Sequence, residues 1–207
     1  MVNYTQPCLN GNLLWIILLL HETNMRSPAI NPLQLPQRPN PETYWVIPGR
    51  FLAGAFPASL DVSIAGRSLA NFLKIGLDTF IDLTSEYERP DYSNALQVEA
   101  AEFGMNATHQ HFSIRDGDLP SVEQMIRILN FIDSSLAAGH NLYLHCYGGI
   151  GRTGTVVGCH LVRHGLTGHQ ALERLTNLYA TASQSRFYPY SPETIEQVQF
   201  ILDWHET

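Results

Sequence analysis

The chain has 207 residues, 44% of them hydrophobic and 15% charged. That suits one domain with a buried core plus a tail, and it excludes global disorder. Twelve basic against nineteen acidic side chains leave a net charge of −7 and no long basic run, which excludes nucleic acid and anionic membrane surfaces as general partners. Three cysteines, Cys8, Cys146 and Cys159, form no C-x-x-C pair, so free thiols in a reducing, cytoplasmic setting are expected rather than a disulfide scaffold.

Leu13 to Leu20 is an apolar run of eight, too short to span a membrane. No Lys or Arg precedes it and no small-residue cleavage site follows, so it is a poor export signal. Residues 1–24 are expected to lie outside the folded domain, and Met25 reads as an alternative start. Half of the twelve prolines fall between Pro28 and Pro48. Such density prevents regular structure, so residues 1–43 read as a tail and Pro-rich arm and residues 44–207 as the domain.

Within the domain, Tyr44–Ile47 and Phe51–Ala53 read as short strands around a Pro48-Gly49 turn. Asp61 is placed to cap a helix running to about Ile75. Thr79–Leu83 has the β-branched and apolar composition of a strand, Asn94–Phe103 reads as helix and Thr108–Ser113 as strand. Ser121-x-x-Gln124 resembles a capping box, and Met125, Ile128, Leu129, Ile132 and Leu136 keep helical spacing after it. Gly139 stops that helix. Asn141–His145 is a strand, and helix resumes near Thr153, apolar nearly all round and therefore buried. Gln170–Ala180 and Pro192–Trp204 complete the helices. Strands alternating with helices predict an α/β domain with a mostly parallel central sheet flanked by helices.

The chemistry concentrates in His145-Cys146-Tyr147-Gly148-Gly149-Ile150-Gly151-Arg152-Thr153. At a helix N-terminus, among inward-pointing N–H groups, a thiolate is favoured over the thiol. The glycines let the loop curl so that the backbone from Tyr147 to Gly151 forms a nest for a tetrahedral dianion. Arg152 closes it with a bidentate fork, and phosphate then sits over the Cys146 sulfur, in line for attack. The Thr153 hydroxyl is placed to hydrogen-bond that sulfur. His145 is expected to orient the loop rather than to act as a base. A Walker-type loop is excluded, because Thr155 stands where its lysine is required. The leaving oxygen needs a proton, and Asp116-Gly117-Asp118, on a loop after a strand, offers two carboxyl groups between which the local pattern does not choose.

These residues resemble the protein tyrosine phosphatase superfamily, in its dual-specificity-like branch. The H-C-x5-R-[ST] signature is complete, and the Tyr-Gly-Gly opening of the loop is similar to that of cyclin-dependent-kinase-associated phosphatases and related bacterial small phosphatases. The resemblance covers about Tyr44 to Trp204 and implies the cysteine phosphatase fold. It implies hydrolysis of phosphoprotein monoesters through a phosphocysteine on Cys146, without metal or other cofactor. Ile114-Arg115-Asp116-Gly117 resembles the family's acid segment, which selects Asp116 over Asp118. Asp82-Leu83-Thr84-Ser85-Glu86 resembles a loop near the substrate face. Ser191–Gln197 resembles the segment whose glutamine, here Gln197, positions the hydrolytic water. No pocket-deepening aromatic loop is present, so phosphoserine and phosphothreonine are expected to fit as well as phosphotyrosine. The absence of basic residues between Cys146 and Arg152 disfavours a lipid substrate.

Two other functions weigh less. A non-catalytic phosphate-binding module would lack Cys, Arg or Asp, and a sulfur-transfer domain has no use for Asp116. Elsewhere, His160 and His164 stand one turn apart with no third ligand apparent, so buried or capping roles are expected and no metal site is assigned. His109 and His111 alternate along a strand. Cys159, on the buried helix, is expected to pack as a small hydrophobe.

Overall fold

The computed structural model describes residues 36–58 and 62–206. The apolar run, Met25 and the predicted cap Asp61 lie outside the described residues. Five strands form one sheet in the order β1-β2-β5-β3-β4. β1 (Thr43–Ile47) and β2 (Phe51–Gly54) make an antiparallel pair around the Pro48-Gly49 turn, and β2, β5 (Leu142–His145), β3 (Thr79–Asp82) and β4 (Thr108–His111) run parallel. Parallel strands need long return connections, and helices supply them. α1 (Val62–Lys74), α2 (Ser93–Glu102) and α3 (Val122–Ala137) alternate with the strands. α4 (Gly151–Arg163), α5 (Gly168–Tyr179) and α6 (Ile195–Leu202) follow the last strand. The sheet is mostly parallel and flanked by helices, as the sequence predicts. Among the described residues no helix is long and apolar enough to cross a membrane.

Register sets the position of the site. Gly54 and Asp82 both stand opposite His145, and His111 stands opposite Asp82, so the parallel strands end together. The carboxyl edge of such a sheet is where ligands bind. Central β5 reaches that edge with Cys146 as its next residue. One core layer joins Leu69, Phe72 and Leu73 of α1 to Phe80 and Tyr143 of the sheet, with the Phe72 and Tyr143 rings 4.5 Å apart. On α4, every residue from Gly151 to His160 is buried. Its glycines allow close approach: a Cβ at Gly154 would lie 2.2 Å from Ser191 Oγ, and one at Gly158 2.3 Å from Ile201 Cδ1.

Helix ends differ from expectation in three places. α4 starts at Gly151 rather than Thr153, because the phosphate-loop end is already helical. α5 starts at Gly168, where Thr167 and Gln170 form a reciprocal capping box. α6 is shorter than Pro192–Trp204: Thr194 is its N-cap, paired reciprocally with Gln197. Ser121 caps α3 by accepting from Gln124 N, but the Gln124 side chain donates to Ser113 O instead of returning to the cap. Pro36 and Arg38 also reach the domain, since Pro36 O accepts from Trp45 Nε1 and Arg38 donates to Thr181 O.

Candidate active site

The loop from Cys146 to Ile150 is held by its carbonyls. The Cys146 carbonyl accepts from His145 Nδ1 at 3.1 Å and the Tyr147 carbonyl from Phe56 N at 3.0 Å. The Gly148 carbonyl accepts from Gln184 Nε2 at 3.3 Å and the Ile150 carbonyl from Ser191 Oγ at 2.8 Å. With carbonyls engaged outward, the N–H groups are left for the concave side. Among the described residues, those from Tyr147 to Ile150 donate to no partner. The first amides of α4 add unsatisfied donors and the positive end of the helix dipole. Gly149 makes the curl possible: its φ is +71°, and a Cβ there would lie 2.2 Å from Gly54 C. Cys146 stands at the head of this nest, 3% exposed.

His145 is fully buried and its tautomer follows from its partners. A carbonyl can only accept, so Nδ1 carries the proton toward Cys146 O, and Nε2 accepts from the Tyr92 hydroxyl at 2.6 Å. Burial lowers the pKa of the ring despite the neighbouring Asp82 carboxylate. The ring is neutral and structural, holding the loop's first peptide. Thr153 Oγ1 is buried and has no hydrogen-bond partner among the described residues, so the bond to the Cys146 sulfur expected from sequence is not formed in this arrangement.

Arg152 is 1% exposed, and its two terminal nitrogens are taken. Nη1 donates to Glu88 Oε2 at 2.7 Å and to Ile114 O at 2.9 Å; Nη2 donates to Glu88 Oε1 and Asp116 Oδ1, both at 2.7 Å. Nε is buried without a partner among the described residues. Burial alone would lower the Arg152 pKa; Glu88 and the Cys146 sulfur outweigh it and hold the group charged. Burial would likewise raise Glu88, yet Arg152 and Ser85 hold its carboxyl at about 2. Glu88 also accepts from Ser85 N and Oγ, which shapes the loop after β3. Sequence reasoning missed Glu88. The run Ser85-Glu86-Tyr87-Glu88 after a strand was its only local signal, and nothing local says which acid turns inward.

The two candidate acids part company here. Asp116 reaches Arg152, whereas Asp118 Oδ1 accepts from Leu119 N in its own turn. Gln197 is fully buried, with Oε1 accepting from Glu193 N and Thr194 N. It therefore has a helix-capping task beside any role toward water. A Cβ at Gly151 would lie 3.0 Å from Gln197 Oε1 and 3.1 Å from Glu193 Oε2, so both side chains abut the loop. Burial and the Asp116 charge raise the Glu193 carboxyl, against the pull of Arg152. Next to the loop is a cavity of about 320 Å³ lined by Phe56, Arg89, Tyr147, Gly148, Ile150 and Tyr188, among others. The Arg89 guanidinium lies 3.4 Å from the Tyr147 ring centroid, a cation–π contact. Of the other histidines, His111 Nε2 donates to Thr84 O, and His109 Nε2 lies 3.5 Å from Asp82 Oδ2. His111 thus braces the segment after β3, and His109 faces the last residue of β3 itself.

The chain is similar to known phosphatases in sequence and fold. Residues 65–166 match the family model described as "Polymorphic toxin system, DSP-PTPase phosphatase". The chain is 27% identical over 133 residues to the dual specificity protein phosphatase CDC14A of Mus musculus, covering 60% of this chain and 20% of that protein. It is 27% identical over 165 residues to the tyrosine-protein phosphatase cdc-14 of Caenorhabditis elegans, covering 78% of this chain and 22% of that one. The chain thus spans about a fifth of the length of these curated relatives. Among solved structures, Tk-PTP in its active form superposes with a TM-score of 0.61 at 28% identity, covering 79% of this chain and 97% of that one. Kinase associated phosphatase with its catalytic cysteine replaced by serine gives a TM-score of 0.58 at 19% identity, covering 75% and 89%, a likeness of fold.

Proposed function

Because the chain belongs to the protein tyrosine phosphatase superfamily, in its dual-specificity-like branch, we propose that it hydrolyses phosphate monoesters of phosphotyrosine and of phosphoserine or phosphothreonine on protein substrates. The observation that carries this reading is the state of Arg152. Its end-on edge, Nη1 and Nη2, is held by Glu88, and its side edge offers the unpartnered Nε–H beside the Nη2–H now on Asp116. A phosphate entering the nest would take that side edge with two oxygens. It would displace Asp116 from Arg152 without disturbing Glu88.

The exchange links binding to acid catalysis. Released from Arg152, the Asp116 carboxyl group is free to turn toward the leaving oxygen. The Cys146 thiolate attacks phosphorus, the bond from phosphorus to the leaving oxygen breaks, and Asp116 delivers its proton to that oxygen. In the second half, water attacks the phosphocysteine, Asp116 takes the water's proton, and the sulfur–phosphorus bond breaks to release phosphate. Gln197 and Glu193, abutting Gly151, are assigned to hold that water. The loop amides and Arg152 stabilise the charge on the transferring group throughout. Thr153 turns its hydroxyl to the sulfur when the thiolate is the leaving group. No metal takes part in this scheme.

The test is rapid-quench turnover of an aryl phosphate in chelator. A stoichiometric burst of the aryl product is expected when dephosphorylation limits. Cys146→Ser should abolish turnover while leaving inorganic phosphate binding largely intact, since Arg152 and the amides remain. Residual activity above about a hundredth of wild type removes Cys146 as nucleophile.

A further inference from the structure

A second chemical cluster lies at the far end of α4, away from the phosphate loop. His160 and His164 stand one turn apart there, and the fold supplies the third group that the local sequence lacks. Asp133, on α3, places Oδ1 2.9 Å from His164 Nε2 and 3.7 Å from His160 Nδ1. The three atoms lie within 4.8 Å of one another.

His160 is the telling member. It is 3% exposed, and its Nδ1 is buried without a hydrogen-bond partner among the described residues, on the side that faces Asp133. A buried polar atom left unpaired calls for an explanation. The other oxygen of Asp133 accepts from Arg163 Nη1 at 3.0 Å, and Arg163 is in turn neutralised by Glu206 at 2.6 Å. Such an outer contact fixes a ligating carboxylate and leaves its free oxygen toward the site.

We propose that Asp133, His160 and His164 bind a zinc-class divalent cation that ties α3 to α4. Two imidazoles and one carboxylate are donors that such ions take in preference to magnesium or calcium. Tetrahedral bonds of about 2.0–2.2 Å place ligand atoms roughly 3.3–3.5 Å apart, and the distances from Asp133 bracket that spacing. His164 is half exposed, so its ring is free to adjust and solvent completes the coordination. α3 follows the loop that bears Asp116 and α4 follows the loop that bears Cys146. The ion therefore braces both halves of the active site without touching either, and its effect falls on stability rather than on chemistry.

The experiment uses the full chain carrying Cys146→Ser, so that the nucleophilic thiolate cannot capture zinc. Calorimetric titration with zinc should show one saturable site, and saturating zinc should raise Tm by roughly 5–10 °C over protein in chelator. Magnesium should produce no shift. His164→Ala, at an exposed position, should weaken zinc binding at least roughly 30-fold and remove the Tm shift. Without any variant, zinc should move the ring NMR resonances of His160 and His164 and spare those of His109 and His111. Absence of saturable binding, equal binding by His164→Ala, or unmoved His160 and His164 resonances each overturns the proposal.

Discussion

Arg152 has five N–H donors, and four of them are committed to Glu88, Ile114 and Asp116. Glu88 holds the edge opposite to the one assigned to phosphate, so it positions the guanidinium and does not compete for it. Glu88→Gln keeps the shape and removes the charge. Inorganic phosphate should then inhibit roughly tenfold more weakly, because a hydrogen bond to a charged group is worth about 1.5–3 kcal/mol. Unchanged or tighter inhibition would contradict the positioning role. Asp116 makes a different prediction. A serine alkoxide needs a proton to leave, and a dinitrophenolate scarcely does. Asp116→Asn should slow phosphopeptide cleavage by roughly 10²–10⁴-fold and dinitrophenyl phosphate much less. Asp118→Asn should do neither, its carboxylate being turned to Leu119. If the leaving-group-dependent defect follows Asp118 instead, the acid has been misassigned.

At the scale of elements, the phosphate loop depends on the end of β2. Gly149 sits at φ +71° with the Gly54 backbone against it. Gly149→Ala adds both a left-handed strain and a clash with main chain that cannot swing aside. The local cost should be roughly 1–3 kcal/mol. The loop is expected to relax outward, spreading its amides, so kcat/KM should fall by at least about 100-fold while Tm drops only a few degrees. Wild-type kcat/KM in that variant would mean the curl of the loop is not needed. At Gly158, on the helix after the loop, an added Cβ would meet side-chain atoms of Ile201, Cδ1 at 2.3 Å and Cγ1 at 2.7 Å, rather than main chain.

Over the whole molecule, buried histidines couple stability to pH. His145 has its pKa lowered, chiefly by burial, from an ordinary value near 6.5. Below about pH 6.5 the unfolded chain therefore binds more protons than the folded one, and stability falls as pH falls. His160 adds to the same trend over the window from about 6.5 down to about 4. The depressed Glu88 carboxyl acts lower still. Its contribution is present above about pH 4.5 and is lost as pH falls toward about 2. Between pH 7 and 5 in chelator, Tm should decline with acidification, and His145→Gln should shrink that decline without abolishing it. An identical decline in the variant would show that His145 is not held neutral.

What the sequence by itself determined is what contiguous residues can express. The strand-loop-helix unit around Cys146 lies in one short run, so its glycines, its cysteine and its arginine were legible together. So was the alternation of strands and helices, because burial periodicity is a property of neighbours. Asp116 was legible only as one of two aspartates, and its likeness to a known segment chose between them. Tertiary structure alone brought Glu88 onto Arg152 across 64 residues and Asp133 to His164 across 31. The capping task of Gln197, by contrast, belongs to the local Thr194-x-x-Gln197 pattern. The reason is physical: which acid meets which base is settled by how the sheet and helices pack, and that packing leaves no period in the sequence between them.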